Sequence, residues 1–140
     1  MFEEILIPLK LTQNLKQIKG KTRLQKLVFL VQKESIKNNV KASSFEYEIY
    51  HYGPFSFQLS STLEKLISDN LLEEKVEMTP NGYTKYVYEL TFKGKSLLDD
   101  AEDKRLISPE LVKIIKNIAK NYGELQLSDV VSEAYKKFSE

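Results

Sequence analysis

Apolar residues recur at helical spacing in the first part of the chain. Thr22 and Gln25 form the capping-box pattern at the start of one predicted helix. Its apolar stripe follows at positions i, i+3, i+4 and i+7, which is typical of an amphipathic helix, and consists of Leu24, Leu27, Val28 and Val31. An earlier stripe predicts a helix over 2–18, which Gly20 ends and which Pro8 opens or kinks, because proline has no amide hydrogen to donate.

The middle of the chain changes to a period of two. Residues 45–52 alternate between apolar and polar positions, as a half-buried strand does. Residues 72–78 and 84–90 alternate as well, and the pair Asn81-Gly82 between them is a strong signal for a hairpin turn. We therefore expect these three strands to form one small antiparallel sheet with helices on one side.

Serine and threonine residues mark the starts of the remaining predicted helices. Ser56, Thr91 and Ser108 each precede an apolar stripe and can cap its helix, and Pro109 suits the first position after such a cap. Ser128 opens a last predicted helix. The helix from Pro109 has an apolar stripe that is large for one small core to cover, so we expect a homodimer through the C-terminal helices. The alternative is that the last helix covers this stripe within one chain. That stripe consists of Ile114, Ile115 and Ile118.

The order helix, helix, strand, helix, hairpin, helix is that of a winged helix-turn-helix protein. We therefore predict an α+β fold with a small antiparallel sheet and extra C-terminal helices. The 140 residues fit one domain, with a core over about 1–105 and a helical extension over about 108–139. The run Leu90 to Leu98 resembles the leucine-threonine-x-x-glycine-x-x-leucine-leucine junction that follows the wing in many winged-helix regulators.

Composition excludes several kinds of catalytic site. The chain has no cysteine, which excludes a disulfide framework, a thiolate zinc site and a cysteine nucleophile. Its one histidine, His51, lies beside the Gly53-Pro54 turn signal, and a structural role is favoured there because no nucleophile or orienting partner accompanies it. Glycine-rich phosphate-binding motifs are absent from the sequence. We expect no enzymatic activity, no cofactor and no metal.

The sequence favours the cytoplasm as its compartment. No apolar run approaches the roughly 20 residues that span a bilayer, so no membrane partner is expected. The N-terminal residues Met1-Phe2-Glu3-Glu4 lack the positive start of a secretion signal.

Charge is unevenly distributed along a chain whose formal net charge is +1. Residues 1–44 hold nine lysines or arginines and three acidic residues, a balance of +6. Residues 45–105 hold seven basic and twelve acidic residues, a balance of −5, and residues 106–140 hold five of each. Phosphate contacts supply most non-specific affinity for DNA, so the acidic middle of the chain disfavours ordinary DNA binding there.

If the domain binds double-stranded DNA, its basic first third is expected to contact the phosphates. Lys19, Lys21 and Arg23 lie at a predicted helix start, where backbone amides and the helix dipole favour anions, and Lys26 lies one turn further on. We assign the main phosphate contacts to Lys21, Arg23 and Lys26. The helix from Ser56 would ordinarily enter the major groove. Here we expect its polar residues to supply edge or rim contacts only, and they are Gln58, Ser61 and Lys65.

Six aromatic residues crowd positions 45–57. Stacking platforms for single-stranded nucleic acid interleave aromatic with basic residues, whereas Glu46 and Glu48 are interleaved here. A packed aromatic core around the turn is therefore favoured, and any aromatic ring left exposed suits a protein interface. We expect the glycine of the turn to occupy a backbone angle or a close contact that a side chain cannot accept. The turn motif consists of Tyr52, Gly53, Pro54 and Ser56.

Two segments carry a closer resemblance. Residues 20–30, Gly-Lys-Thr-Arg-Leu-Gln-Lys-Leu-Val-Phe-Leu, and residues 50–59, Tyr-His-Tyr-Gly-Pro-Phe-Ser-Phe-Gln-Leu, resemble the YwgA-like family of small proteins. They resemble the Panacea antitoxin domain more distantly. The likeness covers about residues 19–72. Pro8 and the polar stretch 34–44, which is predicted as a loop, depart from the shared pattern.

The resemblance and the residues leave two functional classes open. The resemblance implies a winged-helix-like fold without catalysis and, for Panacea domains, neutralisation of a toxin by direct contact. The fold by itself favours a DNA-binding transcriptional regulator, and the sequence places this class slightly ahead. The aromatic segment and the acidic wing favour the alternative, a protein-interaction module of the antitoxin type.

Overall fold

Residues 2–140 fold as an α+β protein of six helices and two small antiparallel sheets. The computed structural model describes residues 2–140, and Met1, one of the four N-terminal residues weighed above, lies outside the described part. In chain order the elements are α1 (Phe2–Leu15), β1 (Gln17–Lys19), α2 (Lys21–Lys37), β2 (Glu48–Tyr50), β3 (Gly53–Phe55), α3 (Phe57–Ser68), β4 (Leu72–Met78), β5 (Thr84–Leu90), α4 (Phe92–Asp103), α5 (Pro109–Tyr122) and α6 (Leu127–Phe138).

The larger sheet has the strand order β1-β5-β4, all antiparallel. The predicted strands over 72–78 and 84–90 are confirmed, with Leu72 opposite Leu90. The prediction that residues 45–52 join this sheet is wrong. The third strand is β1, in which buried Ile18 lies opposite Tyr88, and residues 48–50 instead pair with β3. Short strands are decided by non-local pairing, which an alternating pattern does not specify.

The same region explains why the first helix ends early. Lys16 has a φ of 69°, a left-handed conformation that stops α1 at Leu15. The amide of Gly20 then donates to the carbonyl oxygen of Tyr86 at 2.7 Å, which extends the pairing of β1 with β5. The predicted helix over 2–18 is therefore three residues too long, and Pro8 lies inside α1 rather than at its start.

The hairpin between β4 and β5 follows its turn chemistry. The amide of Gly82 donates to the carbonyl of Thr79 at 2.9 Å, and the amide of Thr79 donates to the carbonyl of Tyr83 at 2.8 Å. Gly82 has a φ of 83°. A type I turn followed by a left-handed glycine is a common three-residue hairpin connection, so the Asn-Gly signal marked the turn correctly.

Three of the predicted helix caps are confirmed. Ser56, Thr91 and Ser108 each accept a hydrogen bond from the amide three residues ahead. The capping box at Thr22 is wrong, because Gly20 is the N-cap of α2 and no side chain caps it. Two other boundaries differ from the expectations. The helix α2 continues to Lys37, into the predicted loop, and α6 starts one residue before Ser128, after the N-cap Gln126.

The core lies between the helices α1, α2 and α5. The isoleucine stripe of α5 is buried within the chain, chiefly against α1 and α2. The homodimer prediction assumed that this stripe lacks a cover, so its premise is wrong. The last helix packs on α2 and on β3. No helix within residues 2–140 is long and apolar enough to cross a membrane.

Candidate protein interface

A two-stranded hairpin, β2 with β3, projects the aromatic segment from the fold. Tyr50 lies opposite Gly53 and Ile49 opposite Pro54. Gly53 has a φ of 97°, which favours glycine at the point where the chain reverses. The larger sheet makes no pairing with this hairpin among the described residues. The hairpin therefore depends on helices for its position.

Gln25 of α2 fixes the exit of the hairpin. Its side-chain nitrogen donates to the carbonyl of Ser56 at 2.9 Å, and its side-chain oxygen accepts from the amide of Ser56 at 3.0 Å. All of these groups are buried where water cannot reach them, so each hydrogen bond gives its donor and acceptor the partner that water would otherwise supply. The hydroxyl of Ser56 in turn caps α3 by accepting from the amide of Leu59 at 3.0 Å.

A second glutamine, Gln32, fixes the entry of the same segment. Its side-chain nitrogen donates to the carbonyl of Phe45 at 2.9 Å. Its oxygen accepts from the amide of Phe45 at 3.0 Å and from the hydroxyl of Ser43 at 2.7 Å. Gln25 and Gln32 are seven residues apart and thus on one face of α2. Both ends of the segment 43–56 are therefore tied to one helix.

The turn of the hairpin packs against the last helix. A Cβ atom placed on Gly53 would lie 3.3 Å from the ring of Tyr135 and 3.6 Å from Cε of Lys26. Gly53 and Pro54 are both buried, whereas Tyr52 of the same motif is 65% exposed. The expectation of a close contact at Gly53 thus has a specific partner, the α6 side chain Tyr135.

Half of the six aromatic residues in positions 45–57 are exposed, and they are Tyr50, Tyr52 and Phe57. We define the aromatic surface as Ile49, Tyr50, His51, Tyr52, Phe55 and Phe57. Phe57, the first residue of α3, is 53% exposed, and its ring lies 4.9 Å from that of Phe55. The Tyr50 ring lies 4.2 Å from that of His51. The expectation of a packed aromatic core therefore holds for buried Phe45 and is wrong for the aromatic surface.

Acidic residues border the aromatic surface. Glu46 and Glu48 are exposed, and neither forms an ion pair with any residue between 2 and 140. Gln58 lies nearby, and its side-chain oxygen accepts from the amide of Glu46 at 2.8 Å. The interface therefore combines exposed rings with uncompensated negative charge.

Lys26 lies beneath the hairpin. It is 1% exposed, and no carboxylate of the described part of the chain lies within 4 Å of its ammonium group. Burial lowers the pKa of Lys26 to about 8, because desolvation disfavours the charged form. A lysine in this position has little surface to offer a phosphate.

The structure separates the residues assigned above to DNA. Lys19 and Arg23 line one cleft, and Lys21 places its ammonium 4.3 Å from the centre of the Tyr86 ring. The remaining assigned residues lie apart from this cleft. Lys26 is buried under the hairpin, and the others lie on α3, where Lys65 pairs with Asp69 at 3.6 Å. Those on α3 are Gln58, Ser61 and Lys65.

Sequence reasoning missed four residues of these sites. Two of them, Gln25 and Gln32, can be recognised in the sequence as polar side chains seven residues apart beside an apolar stripe. Tyr135 gave no signal, because its contact with Gly53 joins residues 82 positions apart. The sequence does not group Lys85 with the basic residues near Gly20, since only the pairing of β1 with β5 brings it there.

Comparisons with known proteins agree with the resemblance found in the sequence. A family model described as "Antitoxin SocA-like, Panacea domain" matches residues 24–137. The uncharacterized protein YwgA of Bacillus subtilis (strain 168) is 33% identical over 86 residues. That match covers 61% of this chain and 48% of the relative, so the chain spans about half the length of the curated relative it matches.

Proposed function

The chain belongs to the family of antitoxin SocA-like Panacea domains, and from that premise we propose that it is an antitoxin-like module that acts by direct contact with a protein partner. The observation that carries the proposal is the aromatic surface. Aromatic side chains are enriched at protein interfaces, and the residues that dominate binding energy are often tyrosine and tryptophan. Within this surface, Ile49, Tyr50, Tyr52 and Phe57 are all exposed.

The position of the hairpin supports the proposal. A flexible loop loses conformational entropy when it binds, and this loss reduces affinity. Here Gln25 and Gln32 hold both ends of the segment 43–56 to α2, and Tyr135 packs against the turn. The aromatic rings are therefore presented on a segment that is already ordered in the free protein.

The chemistry of the surface indicates the kind of partner. Glu46 and Glu48 attract a basic segment, and the exposed faces of Tyr50 and Tyr52 attract lysine or arginine side chains. The outer edge of β2 makes no strand pairing among residues 2–140, so its backbone can accept an added strand. We infer a partner segment that is extended, apolar and basic.

We also propose that the core is a winged helix, with the segment 43–56 inserted between its second and third helices. The order α1, β1, α2, α3, β4, β5, with β1 paired to β5, supports this. The packing of α5 on α1 and α2, and of α6 on α2, supports a single domain with a C-terminal helical extension.

The winged-helix order does not make DNA the favoured partner. Glu64 of α3 and Asp69, the C-cap residue of that helix, are exposed, and so are Glu73 and Glu77 of the following strand. Major-groove docking would bring these carboxylates toward phosphates, which costs free energy through like-charge repulsion. The aromatic surface has no such conflict with a basic protein.

Site-specific photocrosslinking tests the proposed interface. A benzoylphenylalanine placed at Tyr52 should crosslink one protein in cells of the organism that encodes the chain. The same group at Met78, which is 72% exposed on the β4 hairpin, serves as the matched control. Crosslinking to the same protein from both positions, or from Met78 alone, would place the interface elsewhere.

The crosslinked protein must also behave as a toxin. Its expression alone should arrest growth, and co-expression of the chain should restore growth. If expression of the crosslinked protein leaves growth unaffected, the aromatic surface is still a protein interface, but the antitoxin proposal is contradicted.

A further inference from the structure

A cleft of about 530 Å³ lies on another part of the molecule, between the end of α1, the start of α2, β5 and the α5–α6 loop. Its lining is strongly basic. Four cationic side chains and one carboxylate, that of Glu124, line the cleft, which gives it a net formal charge of +3. The four are Lys16, Lys19, Arg23 and Lys85.

These cations have no carboxylate partners in the described part of the chain. No carboxylate lies within 4 Å of the ammonium groups of Lys16, Lys19 or Lys85. The carboxylate of Glu89, which lies opposite Gln17 in the sheet, is already paired with Lys75 at 3.0 Å and accepts from the side-chain nitrogen of Gln17 at 3.2 Å. The positive charge of the cleft is therefore left uncompensated.

The fold holds the cationic residues in place. Lys19 lies opposite Val87 in the sheet, and Lys85 comes two residues earlier on that strand, hence on the same face. Arg23 donates from one guanidinium nitrogen to the carbonyl of Gly123 at 3.0 Å, which leaves its other donors available. Gly123 packs so closely that an added Cβ would meet the carbonyl oxygen of Ala119.

We propose that this cleft binds a phosphate group. A phosphate monoester or diphosphate carries two or more negative charges, which match a site of net charge +3 better than a single carboxylate does. The remaining guanidinium donors of Arg23 suit phosphate oxygens in particular. The volume lies within the roughly 300–1,000 Å³ range of small-molecule sites. The phosphate belongs either to a small phosphorylated molecule or to a nucleic-acid backbone, in which neighbouring phosphodiesters with one negative charge each together supply the charge.

This site is independent of the proposed antitoxin function. No residue of the aromatic surface lines the cleft. Substitutions in the cleft therefore leave the protein interface intact, and the two proposals fail separately.

Two probes distinguish the sources of phosphate. Binding of inorganic pyrophosphate is measured by calorimetry, and binding of a random-sequence DNA duplex by fluorescence anisotropy over a range of salt concentrations. The test variant is Lys19→Ala with Lys85→Ala. The control is Lys116→Ala with Lys120→Ala, which removes the same charge from exposed positions on α5.

We expect the test variant to weaken pyrophosphate binding by about tenfold per lysine, as for charge-assisted hydrogen bonds. The control should bind as the wild type does. Binding of the duplex alone, with a salt slope reduced by about one unit per lost contact, would identify the source as nucleic acid. The proposal is overturned if the wild type binds neither probe, or if test and control variants lose binding equally.

Discussion

The substitution Lys26→Met tests whether burial beneath the hairpin makes the charged form of Lys26 destabilise the folded protein. The pKa of Lys26 falls from 10.5 to about 8 on folding. A pKa difference of about 2.5 between the folded and unfolded states corresponds to about 3 kcal/mol. Below pH 8, where Lys26 is charged in both states, its burial lowers the free energy of unfolding by this amount. We therefore expect Lys26→Met to raise the unfolding free energy by about 2 to 3 kcal/mol at pH 7. Methionine keeps most of the chain length without the charge.

The pH dependence follows from the sign of this shift. Between pH 8 and 10.5 the unfolded chain binds more protons at Lys26 than the folded chain does, so the stability contributed by this site rises with pH. The advantage of Lys26→Met should therefore be largest near pH 7 and should shrink as pH rises through this window. Taking the difference between the two proteins removes the titration of other lysines and tyrosines.

Urea denaturation at several pH values between 6.5 and 10 measures this difference. Lys37→Met, at an exposed position near the end of the same helix, is the control and should show no pH-dependent difference from the wild type. The reasoning fails if Lys26→Met is less stable than the wild type at pH 7, or if its advantage does not change with pH.

Three further substitutions test the packing of the hairpin. Gly53→Val should lower stability by about 2 kcal/mol or more, from the strained φ and the Tyr135 contact, and should lower the melting temperature more than Gly82→Val, whose φ is similar but whose surroundings are open. Equal decreases in melting temperature for the two variants would show that the contact with Tyr135 does not contribute to the loss of stability. Gln25→Ala should cost about 3 kcal/mol in urea denaturation, because it leaves the amide and carbonyl of Ser56 unpaired in the interior, and an effect below about 1 kcal/mol would contradict this. Tyr47→Phe should leave stability unchanged or raise it slightly, since the buried Tyr47 hydroxyl has no hydrogen-bond partner among residues 2–140, and a clear loss of stability would mean that the hydroxyl is bonded in solution.

Local signals predicted the parts of the fold that local chemistry decides. The caps at Ser56, Thr91 and Ser108 and the turn at Gly82 depend on residues within a few positions of one another. Each of these motifs forms hydrogen bonds to backbone groups within a few residues, so it can be predicted from the sequence without tertiary information.

Non-local pairing decided the rest. Ile18 continues the helical stripe of α1 and also fits a strand, and only its position opposite Tyr88 selects the strand. The exposure of the aromatic surface depends on which face of the hairpin α2 and α6 cover, and the basic cleft depends on the pairing of β1 with β5. The sequence contains the residues of both sites, but it does not show that the aromatic surface and the basic cleft lie on different parts of the molecule.

The most direct test of the antitoxin proposal uses the crosslinked partner with two double variants. Tyr52→Ala with Phe57→Ala removes the most exposed rings of the aromatic surface. Val76→Ala with Met78→Ala removes exposed apolar side chains from the β4 hairpin and serves as the control. We expect the first variant to weaken the dissociation constant by about 100-fold, as for loss of two interface hot spots, and to lose rescue of growth, while the control retains both. A Tyr52→Ala, Phe57→Ala protein that binds the partner and restores growth as well as the wild type does would contradict the proposal.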